Sequence, residues 1–238
     1  ASARPSNLAM LLVALAAVTP YLATLAYGFV YDDGPIIADN VALHAPSGMI
    51  PAWHVAYWPP EWGRAGLFRP VVQFAYALLW NVSGGAPSVF HLYAVALYAA
   101  CAIVVLVVLA RALPAWVAMP GALLFAVHPL HVESVANVAG SAELVAALAS
   151  LGCLLVLARA LERTPAPLAI GWRPAIAGAA LFAIAIAAKE SAATVPALAA
   201  LYAWGWRVPG EPVPDARSVL ARGWRAWAAF VAVLAAML

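Results

Sequence analysis

Charge is scarce in this chain. Asp, Glu, Lys and Arg make up 9% of 238 residues, with a single lysine and a formal net charge of +2. A nucleic-acid surface needs a basic stripe interleaved with aromatics, and no such run is present, so nucleic acid is not an expected partner. Cysteine is also rare: Cys101 and Cys153 both fall inside apolar runs, where a thiol behaves as a small hydrophobe and says nothing of redox compartment. The period-two alternation of a lipid-facing strand is missing too, which favours helices over a barrel. No internal repeat or low-complexity tract stands out.

What is abundant is apolar surface. Hydrophobic residues make up 66% of the sequence and the mean hydropathy is +0.94. Several continuous Ala/Leu/Val-rich runs approach the roughly 20 residues that cross a bilayer as helix. The expected fold is therefore all-α, a polytopic transmembrane helical bundle forming one membrane domain over 1–238. Helices are expected near 7–27, 88–110, 116–128, 138–158, 174–188, 192–206 and 226–238, about seven spans, with a half-apolar segment at 70–82. The runs at 116–128 and 174–188 are short for a crossing, so their polar ends are expected in a recessed, water-accessible cavity. Leu8 to Tyr27 resembles a signal peptide, but its length and the lack of a small-residue cleavage site before Asp32 predict a retained helix.

A cytoplasmic N-terminus puts nine arginines inside and leaves Arg64, Arg69 and Lys189 outside, as the positive-inside rule requires. The same orientation sends Asp32, Asp33, Asp39, Glu61, Glu133, Glu143, Glu190 and the histidines His44, His54, His91, His128 and His131 to the outer face. That face is periplasmic in a bacterium, as the Ala-, Arg- and Pro-rich composition suggests, and lumenal in a eukaryote. The outer connection 28–87, with Trp53, Trp58, Trp62 and Trp80, is expected to form helices lying along the membrane surface. The cytoplasmic connection 207–225, with Pro209, Gly210, Pro212 and Pro214, reads as a plain loop.

Each polar cluster has a chemical and a plain structural reading. Asp32-Asp33 follows the first helix, where carboxylates oppose the helix dipole, so helix stability does not call for them. They suit a general base or a divalent cation; the alternative is a solvated helix end. Arg69, in Leu67-Phe68-Arg69-Pro70, can clamp a phosphate with its planar fork, or serve as an interfacial anchor. In His128-Pro129-Leu130-His131-Val132-Glu133 two imidazoles and a carboxylate can hold a cation or orient a phosphate leaving group. The spacing is not the helical i, i+4 zinc pattern, and a hydrogen-bonded structural cluster is the competing reading. A metal ligand set would draw on Asp32, His128, His131 and Glu133. Glu143 would be costly facing lipid and is expected in the same cavity. Lys189-Glu190 is either a polar break between helices or a fixed cation for a phosphate. Asn81-Val82-Ser83 fits a glycosylation sequon that matters only in a eukaryotic host.

Tyr31-Asp32-Asp33 with Asp39-Asn40, Glu61-Trp62-Gly63, Phe68-Arg69-Pro70, Phe90-His91-Leu92, the run His128 to Ala136, Ala142-Glu143-Leu144 and Ala188-Lys189-Glu190 occur in an order that resembles the transmembrane and tetratricopeptide-repeat O-mannosyltransferases. These are GT-C glycosyltransferases that use polyprenyl-phosphate sugars, and the resemblance covers roughly 27 to 200. It implies a GT-C-like bundle with an outward cavity and an acid after the first helix, Asp32 or Asp33, as base towards a Ser/Thr hydroxyl of an outer-face protein acceptor. Inverting transfer of mannose would release a lipid phosphate held by Arg69 and Lys189. His128, His131, Glu133, Glu143 and Glu190 would shape the sugar or acceptor pocket. The lipid-linked sugar is then a substrate; no cofactor is fixed by the sequence, and the need for a divalent metal ion is left open.

Two departures stand out. Ser141 occupies the place of an arginine before Ala-Glu in the family's pattern, and the chain stops in an apolar run where the family continues into further helices and repeats. The competing expectation is a catalytically inactive GT-C-like subunit that packs against partner subunits in a membrane complex through its small residues. A transporter fits less well, because the acids cluster at one boundary rather than at mid-membrane.

Overall fold

The computed structural model describes residues 4–46, 56–59, 66–164, 168–205 and 215–237. Expectations for Trp53, His54, Glu61, Trp62, Gly63, Arg64 and the segment 207–214 lie outside the described residues. Among those described the regular structure is entirely helical. Four helices are long and apolar enough to cross a membrane, and a bent pair makes a fifth candidate. The chain is an integral, multi-pass membrane protein.

Helix α1 (Asn7–Val18) starts at Ser6, whose Oγ accepts from the Ala9 N–H at 3.1 Å. Pro20 has no N–H to continue the ladder, and the chain tightens into 3₁₀ turns over Thr19–Ala26; both pieces form one candidate span, Asn7–Ala26. After the outer segment, α2 (Pro70–Ser83) buries Val72, Gln73, Tyr76 and Ala77 on one face, the i, i+4 pattern of an amphipathic helix. It stops at Gly84, whose φ of +66° is left-handed and therefore cheap only for glycine. Pro87 then opens α3 (Pro87–Ala112) at the first-turn position where a missing N–H costs nothing. Its 26 residues rise about 39 Å, more than a hydrocarbon core needs. Next come α4 (Ala115–Ala126), a 3₁₀ turn at Pro129–His131 and α5 (Val132–Val135), with the axis bending 43° across the break. The proline that ends the 116–128 run is responsible.

The remaining helices are α6 (Ser141–Arg163), α7 (Trp172–Ala188), α8 (Val195–Gly205) and α9 (Ala216–Met237). Of these α6, with the turn before it, and α9 meet the length and apolarity of a span, while α7 is shorter. One sequence expectation is corrected here: the connection 207–225 is not a plain loop to its end, because α9 begins at Ala216. Asp215 caps it, its Oδ1 accepting from the Ser218 N–H at 2.8 Å, so an acid three residues ahead of a serine outweighed the preceding prolines.

The chain divides into two compact units, 1–148 with 187–189, and 149–186 with 190–238. In the first, α1, α3 and α4 pack through small or flat residues, among them Ala17, Ala94, Ala102, Ala122 and Ala126, all fully buried. Small side chains let apolar helices approach closely where lipid gives no hydrophobic drive for association. Tyr98 fastens α3 to α4 by donating its hydroxyl to the carbonyls of Phe125 (2.8 Å) and Ala126 (3.0 Å), the orphan acceptors of a helix end. A second core gathers around Ile36, Ile37, Tyr57, Tyr76, Phe90 and Val138.

In the second unit Phe182 and Phe230 meet edge to face at 4.9 Å. Arg222 donates through Nη2 to the carbonyls of Thr164 (2.9 Å) and Leu161 (3.4 Å), closing the end of α6, while Arg225 donates to Ile170 O at 2.8 Å. Arg222 is 9% exposed, so truncating it strands buried carbonyls. Arg222→Ala should cost roughly 2 kcal/mol, read as a lowered thermal midpoint in detergent. Arg217→Ala, at an exposed position of the same helix, should leave the midpoint unchanged.

Candidate functional site

Beyond Ala26 the chain makes a tight reversal in which Tyr31 takes φ +48°, a left-handed conformation uncommon for a bulky side chain. The reversal separates the two adjacent acids. Asp32 stays exposed, while Asp33 turns inward and is fully buried. Asp33 accepts from the Val30 N–H at 3.2 Å and from the Ala139 N–H at 2.7 Å. Burial pushes its carboxyl above the usual carboxylate range, although those N–H donors pull the other way.

Ala139 lies in the 3₁₀ turn Val138–Gly140 that leads into α6, and three further side chains converge on this turn. Tyr57 donates its hydroxyl to Ala139 O at 3.2 Å. Tyr76 donates to Val138 O at 3.0 Å and shares a 3.0 Å hydrogen bond with Ser141 Oγ. Asn137 Oδ1 accepts from the Ala139 N–H at 3.2 Å, the Asx turn that starts the reversal. At Gly140 a Cβ would overlap the Glu133 carbonyl oxygen, so only glycine lets α5 pass this close. Ser141 is fully buried against Tyr76; the side chain at that position faces the aromatic core.

Around the turn a cavity of about 330 Å³ opens, lined by Asp32, Tyr57, Arg69, Glu133, Glu143 and Lys189 together with apolar and backbone groups. Its charged residues come from the reversal after α1, the start of α2, α5, the first turn of α6 and the end of α7. The Arg69 guanidinium stacks over the Tyr57 ring, its Cζ 4.7 Å from the centroid. Burial pushes the Tyr57 hydroxyl up to about 12 against the pull of that cation, which keeps it a neutral donor. Lys189 Nζ forms an ion pair with Glu143 Oε1, and the lysine side chain is 23% exposed. The cavity thus gathers two cations, Arg69 and Lys189, and three carboxylates, Asp32, Glu133 and Glu143, on one lining.

Five of the sequence-derived site residues therefore meet: Asp32, Arg69, Glu133, Glu143 and Lys189. The others are elsewhere. Asp33 is engaged by backbone. His128 is exposed and its Nδ1 accepts from the Leu130 N–H at 3.2 Å, capping the turn after Pro129. His131 packs its ring on Phe125 and Tyr98, with centroids 4.4 and 5.2 Å away. Glu190 opens the 3₁₀ turn Glu190–Thr194 in the second unit and is exposed. Of the other motif residues, His44 stacks on Trp80 at 3.6 Å, and His91, fully buried, has Nε2 3.3 Å from Gly28 O. Among the described residues no three of His, Cys, Asp and Glu converge as a metal would require. Tyr57, Tyr76, Asn137 and Gly140 escaped the reading of the sequence. Asn137 and Gly140 ahead of a helix were a usable turn signal; the tyrosines were indistinguishable from interfacial aromatics.

Comparison with known proteins gives related sequences but no solved structure that matches, and no family model matches. The chain is 31% identical over 196 residues to protein O-mannosyl-transferase TMTC3 of Mus musculus, which covers 79% of the chain and 21% of that protein. It is 30% identical to the human protein of the same name over an equal stretch. Against protein O-mannosyl-transferase Tmtc2 of Drosophila melanogaster it is 33% identical over 191 residues, covering 76% of the chain and 20% of the relative. The chain thus spans about a fifth of the length of the curated relatives it matches.

Asp33→Asn should destabilise the fold by about 1–3 kcal/mol, because the amide turns an N–H₂ towards one of two backbone donors. A carboxyl whose folded pKa is raised contributes stability that is complete below its unfolded value, about 3.9, and is lost as pH climbs through the folded value. Thermal midpoints of the parent, taken relative to Asp33→Asn, should accordingly be highest below that value and decline above it.

Proposed function

By homology over most of its length the chain belongs to the transmembrane and tetratricopeptide-repeat protein O-mannosyltransferases, and from that premise we propose that it transfers a sugar, mannose in this reading, from a polyprenyl phosphate to a Ser/Thr hydroxyl of a protein. The architecture is then of the GT-C type, with the shorter α4, α7 and α8 completing about seven membrane helices. The N-terminus lies in the cytoplasm and the cavity opens to the outer face, an orientation supported by the arginine distribution.

The observation that carries this reading is the convergence of Asp32, Arg69 and Lys189 on one cavity from three distant parts of the sequence. Its volume of about 330 Å³ sits at the small end of ligand pockets, room for a sugar and its phosphate with the lipid tail outside. Asp32 accepts the proton of the acceptor hydroxyl. The hydroxyl oxygen bonds to the anomeric carbon, the bond from that carbon to the phosphate oxygen breaks, and the lipid phosphate departs with the electron pair. Configuration inverts in this single displacement. Arg69 and Lys189 neutralise the leaving phosphate, and Glu143 holds the lysine in position beforehand. Glu133 and Glu143 border the sugar or acceptor side, and Asp33 holds the turn that carries the cavity wall.

The test is transfer to an acceptor protein from supplied polyprenyl-phosphate mannose. Asp32→Asn should lower the rate by about 10²–10⁴-fold, the usual worth of a positioned general base, with donor binding unchanged. Full activity in that variant would remove Asp32 from the chemistry. Absence of both transfer and donor binding in the parent chain would support a non-enzymatic GT-C-like subunit instead.

A further inference from the structure

A second and larger cavity, of about 690 Å³, lies at the other end of α1, where the first helix meets the junction of α3 and α4. It has no part in the transfer site: the span Asn7–Ala26 separates the two by about 30 Å of helix. Its walls are apolar, with Leu8 and Leu12 from α1, Leu106 from α3 and Met119 from α4. Its rim carries two cations that the sequence places far apart, Arg4 just ahead of α1 and Arg111 in the last turn of α3. Two helices, α1 and α4, also begin at this rim, with Ser6 and Pro114 at their starts. First-turn N–H groups and the positive ends of these two helix dipoles add to the arginine charge, against the negative end of α3, which closes at the same rim.

Ordinary interfacial arginines snorkel singly outward along convex helix surfaces. Here two converge on one concavity with a greasy floor, a combination complementary to a molecule with an anionic head and a hydrocarbon tail. Leu8 and Leu12 remain 66% and 47% exposed, so the apolar slot is continuous with the outside of the bundle, where acyl chains lie in a membrane. Trp116, 78% exposed in the first turn of α4, sits beside it as an aromatic at headgroup depth would. We propose that this cavity binds an anionic phospholipid, its phosphate between Arg4 and Arg111 and one acyl chain along Leu12, Leu106 and Met119. The bound lipid would tie the start of α1 to the α3–α4 junction, on the membrane face opposite the transfer site.

The test is native mass spectrometry of the full chain in detergent, offered phosphatidylglycerol or phosphatidylcholine in turn. The parent should keep one phosphatidylglycerol under activation that strips phosphatidylcholine. Each arginine near a headgroup is worth about fivefold, so Arg4→Gln/Arg111→Gln should weaken that lipid by roughly 25-fold while leaving phosphatidylcholine unaffected. Leu12→Trp fills the slot with both cations intact and should also lose the lipid. Should the double variant fail to fold, Arg4→Gln, which precedes the helix, and Leu12→Trp decide. Equal retention of the two lipids by the parent, or undiminished phosphatidylglycerol in the variants, would overturn the proposal. So would displacement of the lipid from the parent by inorganic phosphate, since that would leave the apolar slot without a role.

Discussion

The hydrogen bond from the Ala139 N–H to the buried carboxyl of Asp33, 2.7 Å long, joins two segments more than a hundred residues apart. Everything on the polar end of the first unit is arranged about it. One partner lies in the reversal after α1 and the other in the turn before α6, so the bond sets where both chain segments stand relative to α2 and α3. Tyr57 and Tyr76 reinforce it by binding the carbonyls of Val138 and Ala139. A turn held at its N–H and carbonyl groups by three buried side chains has little freedom, and buried polar groups are tolerated only when satisfied in this way.

The cavity follows from that rigidity. Fixing the turn places the first residues of α6, hence Glu143, opposite the end of α7, hence Lys189. The ion pair between them then stands on two helix ends instead of on flexible loops. In the proposed reaction an incoming phosphate, with more charge and more acceptor oxygens, takes the ammonium over from the carboxylate. Arg69 is restrained differently, by its position over the Tyr57 ring. Preorganised cations of this kind stabilise developing charge without reorganising when it appears. The acid that could act as base, Asp32, lies next in sequence to the acid that organises the fold, and only the left-handed Tyr31 conformation separates their roles.

Much of this architecture could be read from the sequence. The limits of α3 followed from Pro87 and the Leu113-Pro114 step, and the bend after α4 from Pro129, because proline acts locally and without regard to tertiary context. That Arg69, Glu133, Glu143, Lys189 and Asp32 would share a cavity was legible, since each ionisable group in so apolar a chain carries a desolvation cost that must be met somewhere. The distinction between Asp32 and Asp33 was not legible: neighbouring carboxylates look alike until a backbone reversal sends one inward. His128 caps a turn and His131 packs its ring on Phe125 in this fold, uses that the residue type alone does not distinguish from ligand contact. The start of α9 was hidden among prolines, its cap visible only as a hydrogen bond between Asp215 and Ser218.

The central claim is that the cavity bordered by Arg69 and Lys189 recognises a lipid-linked phosphate. Its most direct measurement is retention of polyprenyl phosphate, or its mannosyl ester, by the purified chain in native mass spectra, compared across the parent, Arg69→Ala and Lys189→Ala. The account predicts one bound lipid phosphate on the parent and its loss in both variants, with the Lys189–Glu143 pair giving way to the ligand. No retention by the parent with donor in excess, or equal retention in all three proteins, would contradict it.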